Sequence, residues 1–187
     1  MIPEKLIKEA RKFAFEQARL FNAPPARLIE IAVQKGKEIS EKLKADAGLV
    51  ELGILLMDSQ LGVALKEGKV NEHVSMGEIK TREILEKYSI GDIMKENILT
   101  CIREHHGVAK FSTIESEICC NADCYKFCSI GGFVASIRYI RDMEFTELMS
   151  YLEFKADEKW NALSLDFCKD ELREQFNLIK RVLKDCK

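Results

Sequence analysis

Proline constrains this chain most, through where it is missing. Pro3, Pro24 and Pro25 are the three prolines, and residues 26 to 187 carry none. A proline inside a helix removes a hydrogen bond and clashes with the preceding turn. A long proline-free stretch therefore leaves helix formation unopposed. Apolar residues recur at spacings of three and four almost throughout, beginning with Leu6, Ala10 and Phe13. Alternating, strand-like segments are nearly absent, so the period predicts an all-α domain. The helices are placed at about 3–21, 26–44, 47–66, 73–88, 91–105, 113–128 and 132–141, then 145–184 with an interruption.

The punctuation agrees with this division. Pro24 and Pro25 separate the first two helices, since proline suits a first turn. "STIE" (residues 112–115) and "SIGD" (residues 89–92) have the capping-box pattern. Asn71 is placed to cap the helix that begins near His73. Gly107 follows two adjacent histidines, where a left-handed residue commonly closes a helix. "SIGG" at 129–132 marks a sharp break before the C-terminal helices.

At 187 residues the chain suits one domain with a sizeable core. Hydrophobic residues at 47% and charged residues at 32% are the balance of a soluble globular protein. A formal net charge of −2 argues against a nucleic-acid partner. No apolar run approaches the ~20 residues that span a bilayer, so no membrane partner is expected. "MIPEKLIKEARK" lacks the apolar core of a signal peptide, which gives a cytoplasmic expectation. Seven cysteines, an odd number without a secretory signal, then read as reduced thiols.

Four of those cysteines crowd into "ESEICCNADCYKFC". Cys120, Cys124 and Cys128 recur at i, i+4 and i+8, on one face of a helix. The outer two lie about 12 Å apart at 1.5 Å per residue. Sulfurs on one zinc must sit within about 4 Å of each other. The three cannot share a metal while the helix persists, so they are expected to line the core as small hydrophobes.

The three histidines are His73, His105 and His106. Adjacent helical side chains diverge by about 100°, so the last two meet on one metal only where the helix unwinds. Asp58 closes the apolar run "LGILLMD", and Asp123 falls mid-helix, where a buried carboxylate needs a partner. Structural roles are also open to them. His105 and His106 could bond terminal carbonyls, Asp58 could cap the next segment, and Asp123 could face solvent.

Taken in order, these pieces resemble the HD superfamily of metal-dependent phosphohydrolases, from about residue 26 to the C-terminus. "GLVELGILLMD" is similar to the helix ending in the family's His-Asp pair, and "EHVSMGEIKTREIL" to the segment around the next histidine. "IREHHG" resembles the double-histidine segment, and "STIESEICCNADCYKF" the helix bearing the final aspartate. The resemblance implies a single HD-like bundle of about seven to nine helices over residues 1–187. Residues 1–24 form its N-terminal helix, 26–128 carry the motifs and 129–187 form the C-terminal helices.

The departures are specific. Met57 stands where the family has the histidine of the pair, and residues 1 to 72 contain no histidine at all. Of the family's principal metal site, Asp58 and Asp123 remain. Ligands matching its second site survive as Asp58, His73, His105 and His106. The resemblance thus implies hydrolysis of a nucleotide or other phosphoester by a degenerate site. Its metal set would be Asp58, His73, His105, His106 and Asp123, holding one divalent ion of open identity. Asp58 and Asp123 would be catalytic, and Arg103, Lys110 and Arg138, which flank the motifs, would bind substrate. The alternative is a non-catalytic HD-fold module that binds a nucleotide, a metal or a partner protein. A small phosphorylated ligand is the expected partner, and the apolar pattern within 145–184 leaves room for a homodimer.

Overall fold

The computed structural model of the protein describes residues 2–140 and 143–186. The chain folds into helices α1 (Glu4–Phe21), α2 (Ala26–Leu43), α3 (Ala47–Met57), α4 (Leu61–Lys66), α5 (His73–Leu85), α6 (Asp92–Glu104), α7 (Ile114–Cys128), α8 (Ile130–Tyr139), α9 (Phe145–Ala162) and α10 (Asp166–Asp185). A 3-10 turn, Val70–Glu72, precedes α5. No strand occurs among the described residues, and the fold is all-α as the period predicts. Nine of the α-helices have ten residues or more, and α4 is a six-residue piece. The last residue of the 132–141 prediction lies outside the described residues.

Two helices form the centre. From Ile118 to Cys128 every residue of α7 is buried, and α3 is buried from Leu49 onward apart from Glu51. Helix α3 is apolar almost all round, as suits a helix inside a fold, whereas α7 also buries Asn121, Asp123 and Lys126. Around α7 pack α2, α3, α6, α8, α9 and α10, and around α3 pack α1, α2, α5 and α6. The outer helices are amphipathic. The buried stripe of α1 is Leu6, Ala10, Ala14 and Ala18, whose small side chains bring it close to α3. A second apolar cluster, including Phe127, Phe133, Leu148, Leu152 and Ile179, closes α8, α9 and α10 over the far end of α7.

Where the structure departs from the expected boundaries, hydrogen bonding gives the reason. The expected helix 47–66 breaks after Met57 into α3 and α4, with turn bonds from Ser59 N to Leu56 O and from Leu61 N to Asp58 O. This stretch, Ala47–Lys66, is apolar and long enough on composition to cross a membrane, contrary to the sequence reading, but most of it is buried in the fold. The α7 cap is Thr113 in reciprocal bonds with Ser116, one residue later than the expected box. Ser112 is diverted because Glu104 takes both its N–H and its hydroxyl. The "SIGD" box does not form, since α6 starts at Asp92 with Gly91 as its cap. Asn71 lies in the 3-10 turn and does not cap α5.

The break at Ser129 holds as expected. Its hydroxyl donates to Tyr125 O at 2.6 Å and accepts from Gly132 N at 3.1 Å, ending α7 and starting α8 within one residue. The turn is so tight that a Cβ on Gly132 would lie 2.3 Å from Lys126 O. Only glycine fits there.

All seven cysteines are free thiols, and all but Cys186 are buried. The helical stripe packs as expected. Cys124 Sγ donates to Cys120 O at 3.1 Å, while Cys120 and Cys128 reach carbonyls of α9 at 3.6 Å. Burial pushes the Cys128 thiol up to about 12 and the Cys168 thiol up to about 11, so neither supplies reactive thiolate at neutral pH. Titration of the native protein with a thiol reagent should show one fast-reacting group, lost in Cys186→Ser, and the other six only on unfolding. A second fast thiol in the native state would contradict this burial.

Candidate metal centre

Every histidine and the aspartate nearest to them sit at a helix end. Asp58 follows the last residue of α3. His73 opens α5, and its Nδ1 lies 2.7 Å from Val70 O in the preceding 3-10 turn. His105 and His106 come just after α6, which ends at Glu104. His105 Nδ1 lies 2.7 Å from Ile102 O in the last turn of that helix. The carbonyls of a last helical turn have no partner within their own helix, so the His105 imidazole N–H can take that of Ile102. Gly107, at φ +92°, closes the segment as expected.

The unwinding lets adjacent histidines converge. Their ring centroids are 4.1 Å apart, and His73 lies 5.8 Å and 5.1 Å from His105 and His106. Glu104 braces the segment by accepting from Ser112 N–H and from the hydroxyls of Ser112 and Ser116 at the start of α7. Burial works against its charge, but these bonds hold the Glu104 carboxyl below its ordinary pKa.

Asp58, His73, His105 and His106 each offer a ligand atom, and these atoms lie within 4.8 Å of one another. His105 Nε2 is 3.4 Å and His73 Nε2 3.8 Å from Asp58 Oδ1, and His73 Nε2 is 3.0 Å from His106 Nε2. Metal bonds of about 2.0–2.1 Å in a tetrahedron put neighbouring ligand atoms about 3.3–3.4 Å apart. The cluster could therefore hold a metal ion. His105 Nε2 is buried, makes no hydrogen bond and faces Asp58 Oδ1. Three imidazole nitrogens and one carboxylate suit a transition-metal dication. Met57 takes no part in this donor set and packs in the core.

Asp123, which the sequence reading places in the metal set, falls outside the quartet. Lys126 Nζ lies 2.7 Å from both Asp58 Oδ2 and Asp123 Oδ1, and Lys159 Nζ lies 2.6 Å from Asp123 Oδ2. Both oxygens of Asp123 thus face ammonium groups. Burial works against every one of these charges, and mutual attraction outweighs it. Lys126 and Lys159 are raised above the ordinary lysine pKa, and Asp58 and Asp123 are held below the ordinary carboxylate value.

Glu158 completes the group from α9. Its Oε1 is 3.2 Å from His106 Nδ1 and 3.4 Å from Lys159 Nζ, and Lys155 Nζ donates to both its oxygens at 2.7–2.8 Å. Burial, with the neighbouring His105 and Lys159, lowers the His106 pKa despite Glu158.

Of the expected substrate contacts, Arg103 is committed to Glu96 at 2.6 Å and Glu78 at 3.3 Å on the outer face of α6. Lys110 lies exposed in the segment after Gly107. Arg138 is exposed on α8, its guanidinium 5.6 Å from the Tyr139 ring centroid. The positive charge at the site comes instead from Lys126, Lys155 and Lys159, which the motif reading missed. Lys126 left a signal, an i+3 cation after Asp123 in an otherwise apolar run. Lys155 and Lys159 left none, since tertiary packing alone brings α9 here.

Removing Lys126 should be costly, because breaking a buried ion pair leaves charge uncompensated at about 3–5 kcal/mol. Urea unfolding of Lys126→Met in the presence of chelator should show a loss of that order. A loss under about 1 kcal/mol would mean that the bridge contributes little beyond a packed hydrophobe.

No family model matches the chain, and no curated protein matches it in sequence. Two solved structures share its fold from end to end. The Lin1889 protein from Listeria innocua is 16% identical with a TM-score of 0.67, covering 99% of this chain and 95% of its own. Bacillus subtilis YpgQ is 14% identical with a TM-score of 0.65, covering 97% of this chain and 93% of its own. At these identities the likeness is one of architecture, so the chain takes the helical fold of these two bacterial proteins.

Proposed function

We propose that this chain is a divergent HD-superfamily protein that binds one divalent cation through Asp58, His73, His105 and His106 and hydrolyses a phosphoester. One observation carries the reading. His73 and His105 each spend Nδ1–H on a backbone carbonyl, Val70 O and Ile102 O, and turn Nε2 inward toward Asp58 Oδ1. Metal-ligating histidines are commonly fixed by such an outer hydrogen bond. The order of the motifs and the fold support the same family.

The charges support an anionic ligand. Asp58, Asp123 and Glu158 are balanced by Lys126, Lys155 and Lys159 before any cation is added. A dication added to this set leaves net positive charge behind His106 and Glu158, the members most open to solvent at 35% and 28%. That favours a phosphoryl group approaching from this side. When bound, such an ion lowers the pKa of a water and neutralises phosphoryl charge. Lys126 fixes Asp58 by one oxygen, leaving the other for the histidines. Lys155, paired with Glu158, is the more exposed of the two α9 lysines and the nearer charge-assisted donor for such a group, while Lys159 is buried on Asp123. Asp123, held ionised between two ammonium groups, supplies charge balance and is poorly suited to carry a proton at neutral pH.

One feature favours the second reading, a non-catalytic module that binds a metal and a phosphorylated ligand. Four protein donors fill a tetrahedral shell, the pattern of a closed structural site. Ions that take five or six ligands would keep a position open, so the two readings separate by metal. Elemental analysis of tag-free protein should give one transition-metal equivalent per chain, falling to background in His73→Ala and His105→Ala. Metal content untouched by both variants would remove the metal reading altogether. A phosphoester panel with Mn²⁺, Co²⁺ and Zn²⁺ should show turnover with the first two that Asp58→Ala abolishes. One bound equivalent without turnover would decide for the non-catalytic module.

A further inference from the structure

The hydrogen bonds of the quartet assign a proton position to His106. His73 donates Nδ1–H to Val70 O at 2.7 Å, so in the neutral ring its Nε2 carries a lone pair. His106 Nε2 lies 3.0 Å from that lone pair and must bear the proton that joins them. In a neutral ring, His106 Nδ1 is then an acceptor, and Lys159 Nζ stands 3.1 Å away as its donor. A doubly protonated ring would set an N–H against that ammonium, donor to donor. The pattern is a relay in which Lys159 donates to His106 and His106 donates to His73.

In this relay His73 and His105 present lone pairs to the centre, but His106 presents a proton. For His106 to give Nε2 to a cation, that proton must leave for solvent and another must be taken from solvent at Nδ1. The ring stays neutral, and the count of protons on it does not change. The new Nδ1–H needs an acceptor, and Glu158 Oε1 is already 3.2 Å from that atom. In the relay state Glu158 faces a lone pair there and is held by Lys155 and Lys159 instead.

Building on the metal reading above, we propose that Glu158 is a positioning residue that selects the metal-binding tautomer of His106, against Lys159, which selects the metal-free one. His106 is thus a two-position ligand. His73 and His105, whose Nδ1 partners are backbone carbonyls, are fixed in the ligating form whether or not a cation is bound. The centre would assemble on three prepared donors, Asp58, His73 and His105, and recruit the fourth by a tautomer exchange.

Long-range ¹⁵N–¹H correlation of the metal-free protein tests the proton directly. It should show His106 protonated at Nε2, and one equivalent of Zn²⁺ should move the proton to Nδ1. Glu158→Ala should keep the metal-free pattern and weaken Zn²⁺ binding, measured by chelator competition, by about 10–100-fold, the usual effect of losing an outer partner of a metal-bound histidine. Glu158→Gln, whose amide oxygen can still accept, should recover part of that loss. Finding Nδ1–H in the metal-free protein, or wild-type affinity in Glu158→Ala, would overturn the inference. His105→Ala is the reference. If it too binds Zn²⁺ as wild type does, the metal reading itself fails, whereas a weakened His105→Ala beside an unchanged Glu158→Ala overturns the role of Glu158 alone.

Discussion

Lys126 ties together the two helices that the rest of the protein surrounds. Its ammonium joins Asp58 at the end of α3 to Asp123 in the middle of α7, both at 2.7 Å. Desolvating such charges costs several kcal/mol each, recovered only when every partner is in place. The bridge also settles how Asp58 meets the histidines. One carboxylate oxygen belongs to Lys126 and the other is left for His73 and His105. The mostly buried donor set therefore rests on an ion pair in the core.

The centre is assembled from helix ends, and this has a physical cause. A helix interior spends its carbonyls on its own amides, whereas its termini have carbonyls to spare. Ile102 O, left over at the end of α6, orients His105, whereas Val70 O meets His73 Nδ1 in addition to accepting the His73 backbone N–H. The structural reading of the sequence, histidines bonding terminal carbonyls, and the functional one, histidines facing a ligand, describe opposite nitrogens of the same rings. His106 is the exception. Its outer nitrogen meets side chains from α9, Lys159 at 3.1 Å and Glu158 at 3.2 Å, and so its tautomer depends on tertiary partners.

Much of the fold was legible because helix signals are local. Apolar spacing placed α1, α2 and α7 to within a residue or so, and the cysteine stripe was assigned to packing on rise per residue alone. The capping boxes were less legible. Ser112 has the pattern of a cap, but Glu104 competes for the same donors, and the cap passes to Thr113. The turn after Asp58 was hidden for a related reason. Nothing in "LLMDSQLG" forbids helix, and the break appears only where Asp58 meets Lys126 across the core.

The sequence put forward five metal ligands through a family resemblance, and by itself determined an all-α chain and buried thiols. Those features follow from side-chain chemistry and from periods that repeat along one helix. Only the tertiary structure decided which residues share the centre. Asp123 was grouped with the histidines by motif order, yet it turns to two lysines. A buried carboxylate takes the cation that packing brings nearest, and here those cations are Lys126 on its own helix and Lys159 on α9. Lys159 and Glu158 are remote in sequence from every histidine, and no local pattern can announce a contact made only when α9 closes over α7.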